Sequence, residues 1–90
     1  MKLEYPFYSV SKDVWDAKRK RYELCTVADV QTYDEAIAIA RKIDVNAKVL
    51  QVQVHEEGED YVELLATKVA VENDPKGYEF YDERTGKDIE

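Results

Sequence analysis

Residues 32–43 read TYDEAIAIARKI, and this stretch decides the fold because its structure follows almost directly from its residue types. At about 100° per residue, its apolar side chains fall on one arc and its charged side chains on the other, which is typical of an amphipathic helix. The apolar arc contains Tyr33, Ala36, Ile37, Ile39, Ala40 and Ile43. We therefore predict a helix from Thr32 to Asp44 that packs across one face of a sheet.

Both ends of this helix carry the expected signals. Thr32 and Glu35 form a T-x-x-E capping box, in which the hydroxyl accepts from the Glu35 N–H and the carboxylate returns to the Thr32 N–H. Asp34 lies in the first turn, and Arg41 and Lys42 lie in the last, so the charges complement the helix dipole.

The residues after the helix predict a hairpin with one buried face. Val49 to His55 alternates apolar and polar residues, and Tyr61 to Val71 resumes β character after the acidic connection EEGED at residues 56–60. In the second strand we expect Val62, Leu64 and Ala66 to point inward. The predicted core, helix included, is Ile37, Ile39, Ala40, Ile43, Leu50, Val52, Val54, Val62 and Leu64.

The residues before the helix predict another hairpin. A first strand within Leu3 to Val14 is followed by the polar turn DAKRK at residues 16–20 and by a strand over Arg21 to Val27. Pro6 cannot donate to a sheet, so the first strand either begins after it or lies at an edge. A competing interpretation makes Lys12 to Glu23 a helix, but Lys18 and Arg21 would then interrupt its apolar face.

The sequence ENDPKG at residues 72–77 is rich in turn residues and ends the preceding strand. Residues 78–81 then form a short β-prone run. The prediction is a single α+β domain over residues 1–90, with an antiparallel sheet of about four strands in the order β-β-α-β-β. Its core spans residues 1–71, and residues 72–90 form a C-terminal extension that is at most a minor hairpin.

Charge is distributed unevenly along the chain, whose net charge is −7. Up to Lys48 there are nine basic and eight acidic residues, whereas from Val49 onward there are four basic and twelve acidic residues. Such a field disfavours general binding to nucleic acids or anionic membranes and favours solubility or a basic partner.

The expected compartment is the cytoplasm. No apolar run is long enough to span a membrane, and the N-terminus MKLEYPFYSV lacks the pattern of a cleaved signal. The single cysteine, Cys25, cannot form an internal disulfide, and its apolar neighbours Leu24 and Val27 predict a buried thiol.

Four adjacent cations beside two aromatic residues form the most suggestive cluster in the sequence. Cations can clamp phosphates and aromatic rings can stack on bases, so this cluster is a candidate nucleic-acid contact. Its residues are Trp15, Lys18, Arg19, Lys20, Arg21 and Tyr22. Over about half of the chain, this basic hairpin followed by a helix loosely resembles the arm-type DNA-binding domains of phage integrases, without a diagnostic motif. The resemblance implies a sheet that enters the major groove.

The acidic connection is a second candidate surface, formed by Glu56, Glu57, Glu59 and Asp60. It could bind a basic groove, as a nucleic-acid mimic that inhibits a host protein does. Together with His55 these carboxylates could hold a cation, but their spacing matches neither an EF-hand nor a zinc site. We expect no metal and no cofactor.

The sequence carries no recognisable active site. Thr85-Gly86-Lys87 resembles the end of a phosphate-binding loop, but position 81 is Tyr instead of the first glycine, so a plain turn is expected. With one histidine and no Ser–His arrangement in the sequence, we expect that the protein is not an enzyme.

Tyrosine is abundant, with seven residues in the chain, and protein interfaces are enriched in this residue type. We therefore expect a non-enzymatic module of bacterial or phage type that binds a protein partner or forms a homodimer. The alternatives are nucleic-acid contact through residues 18–21 and acidic mimicry of a nucleic acid.

Overall fold

Five antiparallel strands and one helix make up the fold, seen in a computed structural model that describes residues 3–43 and 49–89. In chain order the elements are β1 (Phe7–Asp16), β2 (Arg21–Val30), α1 (Tyr33–Lys42), β3 (Val49–His55), β4 (Glu63–Ala70) and β5 (Tyr78–Asp82). The strands are arranged in the order β2-β1-β3-β4-β5. The α+β class with one helix on an antiparallel sheet is confirmed. The sheet has one strand more than predicted, because β5 pairs with β4.

The helix is capped at Thr32 and ends at Lys42, followed by Ile43 in an extended conformation. The Glu35 N–H donates to Thr32 Oγ1 over 3.2 Å, as predicted. The Glu35 carboxylate, in contrast, accepts from the Thr32 hydroxyl over 3.0 Å instead of returning to the backbone. The predicted last residue, Asp44, lies outside the described residues.

The first hairpin is confirmed, and the alternative helix over Lys12 to Glu23 is wrong. β1 begins directly after Pro6 and pairs with β2 on one side and β3 on the other. β2 extends three residues beyond the predicted end at Val27, and Val27 itself is an extra residue in a β-bulge opposite Val10 and Ser11. Bulges are common where a strand forms the edge of a sheet, as β2 does.

One core lies between α1 and the sheet. It contains Val10, Ala36, Ile37, Ala40, Leu50, Val52, Ala66 and Phe80. Val54 is also buried, and Ile39 and Ile43 are partly buried against the core. Burying an aliphatic side chain contributes about 1.5–3 kcal/mol, so α1 is held mainly by these contacts.

Val62 and Leu64 were wrongly predicted as core residues, and a bulge is the reason. The pairing of β3 with β4 shifts between Val52, which faces Ala66, and Gln53, which faces Leu64. Leu65 is therefore the extra residue, and it is buried, whereas Val62 precedes β4 and is exposed. A pattern of strict alternation assigns the wrong face to every residue on the far side of a bulge.

Lys68 occupies an unexpected position in the core. Although lysine is charged, this side chain is only 2% exposed, and it lies on β4 opposite the buried Phe80 of β5. Its Nζ donates to the carbonyl oxygens of Ala40 over 3.0 Å, Arg41 over 3.4 Å and Ile43 over 2.7 Å. The last carbonyls of a helix have no partner within the helix, so this ammonium group caps the C-terminus of α1.

Candidate interaction surface

The first hairpin extends beyond the rest of the sheet. β3 pairs with β1 only from Phe7 to Lys12, so within the described residues Asp13–Asp16 pair with β2 alone. We call residues 13–24 the outer ribbon. A two-stranded ribbon has little stability by itself, because it lacks a second layer that would bury its side chains.

Exposed apolar side chains are concentrated on the outer ribbon. They are Val14, Trp15, Tyr22 and Leu24, and Val27 follows on the same strand. Trp15 is 53% exposed and pairs across the strands with Tyr22, with an edge-to-face ring distance of 5.2 Å. Sequence reasoning singled out Trp15 and Tyr22 but not Val14 and Leu24. The available signal was the length of the apolar alternation, which continues past Lys12, the last residue of β1 that pairs with β3 in the described part of the chain.

The structure brings the four predicted cations together in and beside the turn at the end of the outer ribbon, but it neutralises half of them. Glu23 accepts from Arg19 over 2.7 Å and from Arg21 over 3.1 Å. Lys18 and Lys20 are exposed, and the described residues form no ion pair with either ammonium group. The turn therefore presents two free cations beside the Trp15–Tyr22 pair.

A shallow depression of about 340 Å³ lies on the outer ribbon. Its lining combines apolar and charged groups, among them Val14, Ala17, Cys25, Asp16, Lys18 and Glu23. The predicted burial of Cys25 is wrong, because the thiol is exposed on the edge strand. Its apolar neighbours in the sequence, Leu24 and Val27, are themselves exposed and do not belong to a core.

The acidic candidate surface lies at the other end of the strands. Phe7 faces His55 across β1 and β3, so the loop after His55 lies one strand length from the turn at residues 17–20. A strand of ten residues spans about 30 Å. We call Glu4, Tyr5 and residues 56–62 the acidic end. A hollow of about 520 Å³ is lined there by Leu3, Glu4, Tyr5 and Glu57. Tyr61, at the end of the loop after His55, is 68% exposed.

On the sheet face opposite α1, polar side chains form hydrogen bonds across the strands. Ser9 donates to Asp29 Oδ1 over 2.6 Å, and His55 Nε2 lies 2.7 Å from the same hydroxyl. The ring of Phe7 stacks on His55 at 4.4 Å. Toward the other edge of the same face, Thr67 donates to Glu83 over 2.5 Å. These bonds satisfy side chains on a face that has no helix.

Sequence reasoning missed the grouping of Ser9, Asp29 and His55, because the three residues belong to three strands. Their order differs from that of a hydrolase triad, in which the imidazole lies between the hydroxyl and the carboxylate. Here the hydroxyl lies in the middle and donates to Asp29, and Ser9 is only 2% exposed. An attacking hydroxyl needs access to substrate, and the burial of Ser9 does not provide it.

The remaining predicted sites have structural roles or gather no ligands. Residues 83–86 form a turn in which Asp82 accepts from the Arg84 N–H over 2.7 Å, and hydrogen bonds from Arg84 lower the pKa of this carboxyl. Arg84 also lies over Tyr33, whose pKa is raised by burial and by the Asp82 carboxylate. Within residues 3–43 and 49–89, no group of three or more His, Cys, Asp or Glu residues could hold a metal ion.

Comparisons with known proteins were made at three levels. No family model matches the chain, and neither a curated protein nor a solved structure matches it. Within the described part of the chain, no helix has the length and apolar character needed to cross a membrane. The fold and the surface thus define a small α+β domain with a projecting β-ribbon.

Proposed function

We propose that this protein is a non-enzymatic binding module that engages a protein partner through the outer ribbon. The observation that carries the proposal is the concentration of exposed apolar side chains on a ribbon that no second layer covers within residues 3–43 and 49–89. Trp, Tyr and Arg are the residue types that dominate binding energy at protein interfaces, and all three occur in residues 15–22. A partner that covers the ribbon would bury Trp15 and Leu24 and exclude water from them.

Nucleic-acid contact by the same turn has weaker support. A two-stranded ribbon fits the major groove of DNA, and Lys18 and Lys20 are free to contact phosphates. Glu23, however, already pairs with Arg19 and Arg21, and the chain as a whole is strongly acidic. A phosphate backbone would therefore meet few unpaired cations and a repulsive field.

Removal of the exposed indole tests the proposal. Tagged wild-type protein and the variants Trp15→Ala and Trp15→Phe are incubated with lysate of the source organism, with and without nuclease and at low and high salt, and retained proteins are identified by mass spectrometry. We expect wild type to retain a discrete protein, Trp15→Phe to retain most of it, and Trp15→Ala to lose at least about tenfold, as removal of a hot-spot side chain does.

The phenylalanine variant is the matched control, because it keeps an aromatic ring at an exposed position and changes nothing in the core. Equal retention by Trp15→Ala and wild type would contradict a ribbon interface. Recovery that disappears with nuclease and with salt, and that requires Lys18 and Lys20, would favour nucleic-acid contact instead.

A further inference from the structure

The exposed apolar side chains of the described residues form two groups. One group is the outer ribbon with its neighbour Val27, and the other consists of Tyr5, Tyr61 and Val62 at the acidic end. The two groups are separated along the strands by about 30 Å, since β1 runs from the acidic end to the turn at residues 17–20. One molecule therefore cannot cover its own ribbon with its own acidic end.

The charges at the two ends are opposite. The turn at the end of the ribbon presents the unpaired ammonium groups of Lys18 and Lys20 beside Trp15. The acidic end carries four exposed carboxylates, Glu56, Glu57, Glu59 and Asp60, and also Glu4 at the hollow. Each end thus combines apolar and aromatic groups with a charge that the other end complements, which is the arrangement that directs two surfaces to each other.

We infer that the partner of the outer ribbon is the acidic end of a second copy of this chain. In this head-to-tail contact, Lys18 and Lys20 of one copy face the carboxylates of residues 56–60 of the next. The indole of Trp15 and the ring of Tyr22 pack against Tyr5, Tyr61 and Val62. The inference rests on the proposed function, because it assigns a partner to the same ribbon surface.

The contact between a ribbon and an acidic end can close in more than one way. Two antiparallel copies can form both contacts at once as a closed dimer; in any other arrangement one ribbon and one acidic end stay free, so growth continues until the assembly closes into a ring or extends as a filament. The contact is small and charged, and such interfaces are weak and rapidly reversible. We expect the mean mass of the protein to rise with concentration above that of the monomer and to fall as salt screens the charges.

Two charge-reversed variants test the contact directly. The ribbon variant carries Lys18→Glu and Lys20→Asp, with Asp at position 20 because Lys20 has φ 54° and Asp tolerates this conformation. The acidic-end variant carries Glu57→Lys and Glu59→Lys. All four positions are exposed, so thermal unfolding is expected to show that both variants fold like the wild type.

The readout is the mean mass by sedimentation equilibrium, from about 10 µM to about 1 mM protein at low salt, against the monomer mass of 10.5 kDa. Each variant alone should remain monomeric. An equimolar mixture should associate again, because the unchanged acidic end of the ribbon variant faces the unchanged ribbon of the acidic-end variant, and the two reversed surfaces also carry opposite charges. The fluorescence of Trp15 should shift to shorter wavelength only in the wild type and in the mixture.

Three outcomes would overturn the inference. The wild type could stay monomeric up to about 1 mM, the mixture could stay monomeric although the wild type associates, or both variants could associate as the wild type does. The wild type could also be monomeric and capture another protein from the lysate that the Trp15→Ala variant no longer retains. In that case the ribbon function stands and the self-contact does not. If the wild type associates and Trp15→Ala leaves the association unchanged, the self-contact through the ribbon is refuted, whereas the ribbon function is still decided by the capture experiment.

Discussion

At the scale of single residues, Lys68 connects the sheet to the helix. Its ammonium group is buried and donates to three carbonyls at the end of α1. The Nζ atom also lies 4.6 Å from the centre of the Tyr78 ring. Nothing in the local sequence predicts burial, because lysine is among the residue types most rarely buried without a partner. The partner here is the negative end of a helix 25 or more residues away in the chain.

Replacement of Lys68 by Met should destabilise the domain. Methionine fills a similar volume, but it leaves the carbonyls of Ala40 and Ile43 without a donor in a buried setting. A hydrogen bond that involves a charged group contributes about 1.5–3 kcal/mol, so we expect a loss of about 2 kcal/mol or more in the free energy of unfolding. Urea denaturation measures it.

The matched control for this substitution is Lys76→Met. Lys76 is exposed and also lies over the ring of Tyr78, at 5.6 Å, so it tests the loss of a lysine near the same ring without the helix cap. We expect a change within about 0.5 kcal/mol. A Lys68→Met protein as stable as the control would mean that burying the ammonium costs as much as its hydrogen bonds contribute.

At the scale of elements, β1 consists of two halves with different surroundings. Tyr8–Lys12 is paired on both sides and packs against α1 through Val10, whereas Asp13–Asp16 is paired only with β2 within the described residues. Local opening requires little free energy where few apolar contacts are broken. The outer ribbon should therefore open without unfolding of the rest of the sheet.

Amide hydrogen exchange measured by NMR checks this difference. At low protein concentration, hydrogen-bonded amides of residues 13–16 and 21–24 should exchange at least about tenfold faster than those of residues 8–12. Equal protection in both halves would show that the ribbon belongs to the global unfolding unit. The same amides should become protected when the ribbon is covered by a partner.

At the scale of the whole molecule, the two ends of the chain contribute to one core. Val10 from the first strand and Phe80 from the last both belong to the cluster beneath α1, and Ile89 packs against it. Residues 78–82, which follow the turn-rich segment at residues 72–77, thus form the last strand of the sheet. The unfolding of such a small domain is expected to be a single cooperative transition.

Truncation of Phe80 should therefore destabilise the whole domain and not only its last strand. The side chain is 3% exposed, and Phe→Ala at buried sites costs about 3–5 kcal/mol. For a domain of this size, the thermal midpoint should fall by more than about 10 °C in both far-UV circular dichroism and Trp15 fluorescence. As a control, the exposed Tyr61→Ala should change the midpoint little. A fall seen by only one probe would argue for separate units.

Local patterns in the sequence were sufficient for the helix, its Thr32 cap, the alternation of β3 and the existence of the first hairpin. These features depend on side-chain periodicity and on hydrogen bonds over a few residues, so a single stretch carries the information. The cluster of cations beside Trp15 and Tyr22 was found in the same way, because its members are neighbours in the chain or across one turn.

The tertiary structure alone decided the rest. The bulges at Val27 and Leu65 shift the alternation, and whether a strand accommodates an extra residue depends on the strand beside it. The pairing of β5 with β4 and the grouping of Ser9, Asp29 and His55 join distant segments. Among the described residues, the exposure of the outer ribbon follows from the register of β3 on β1, and no stretch of sequence taken alone contains that relation.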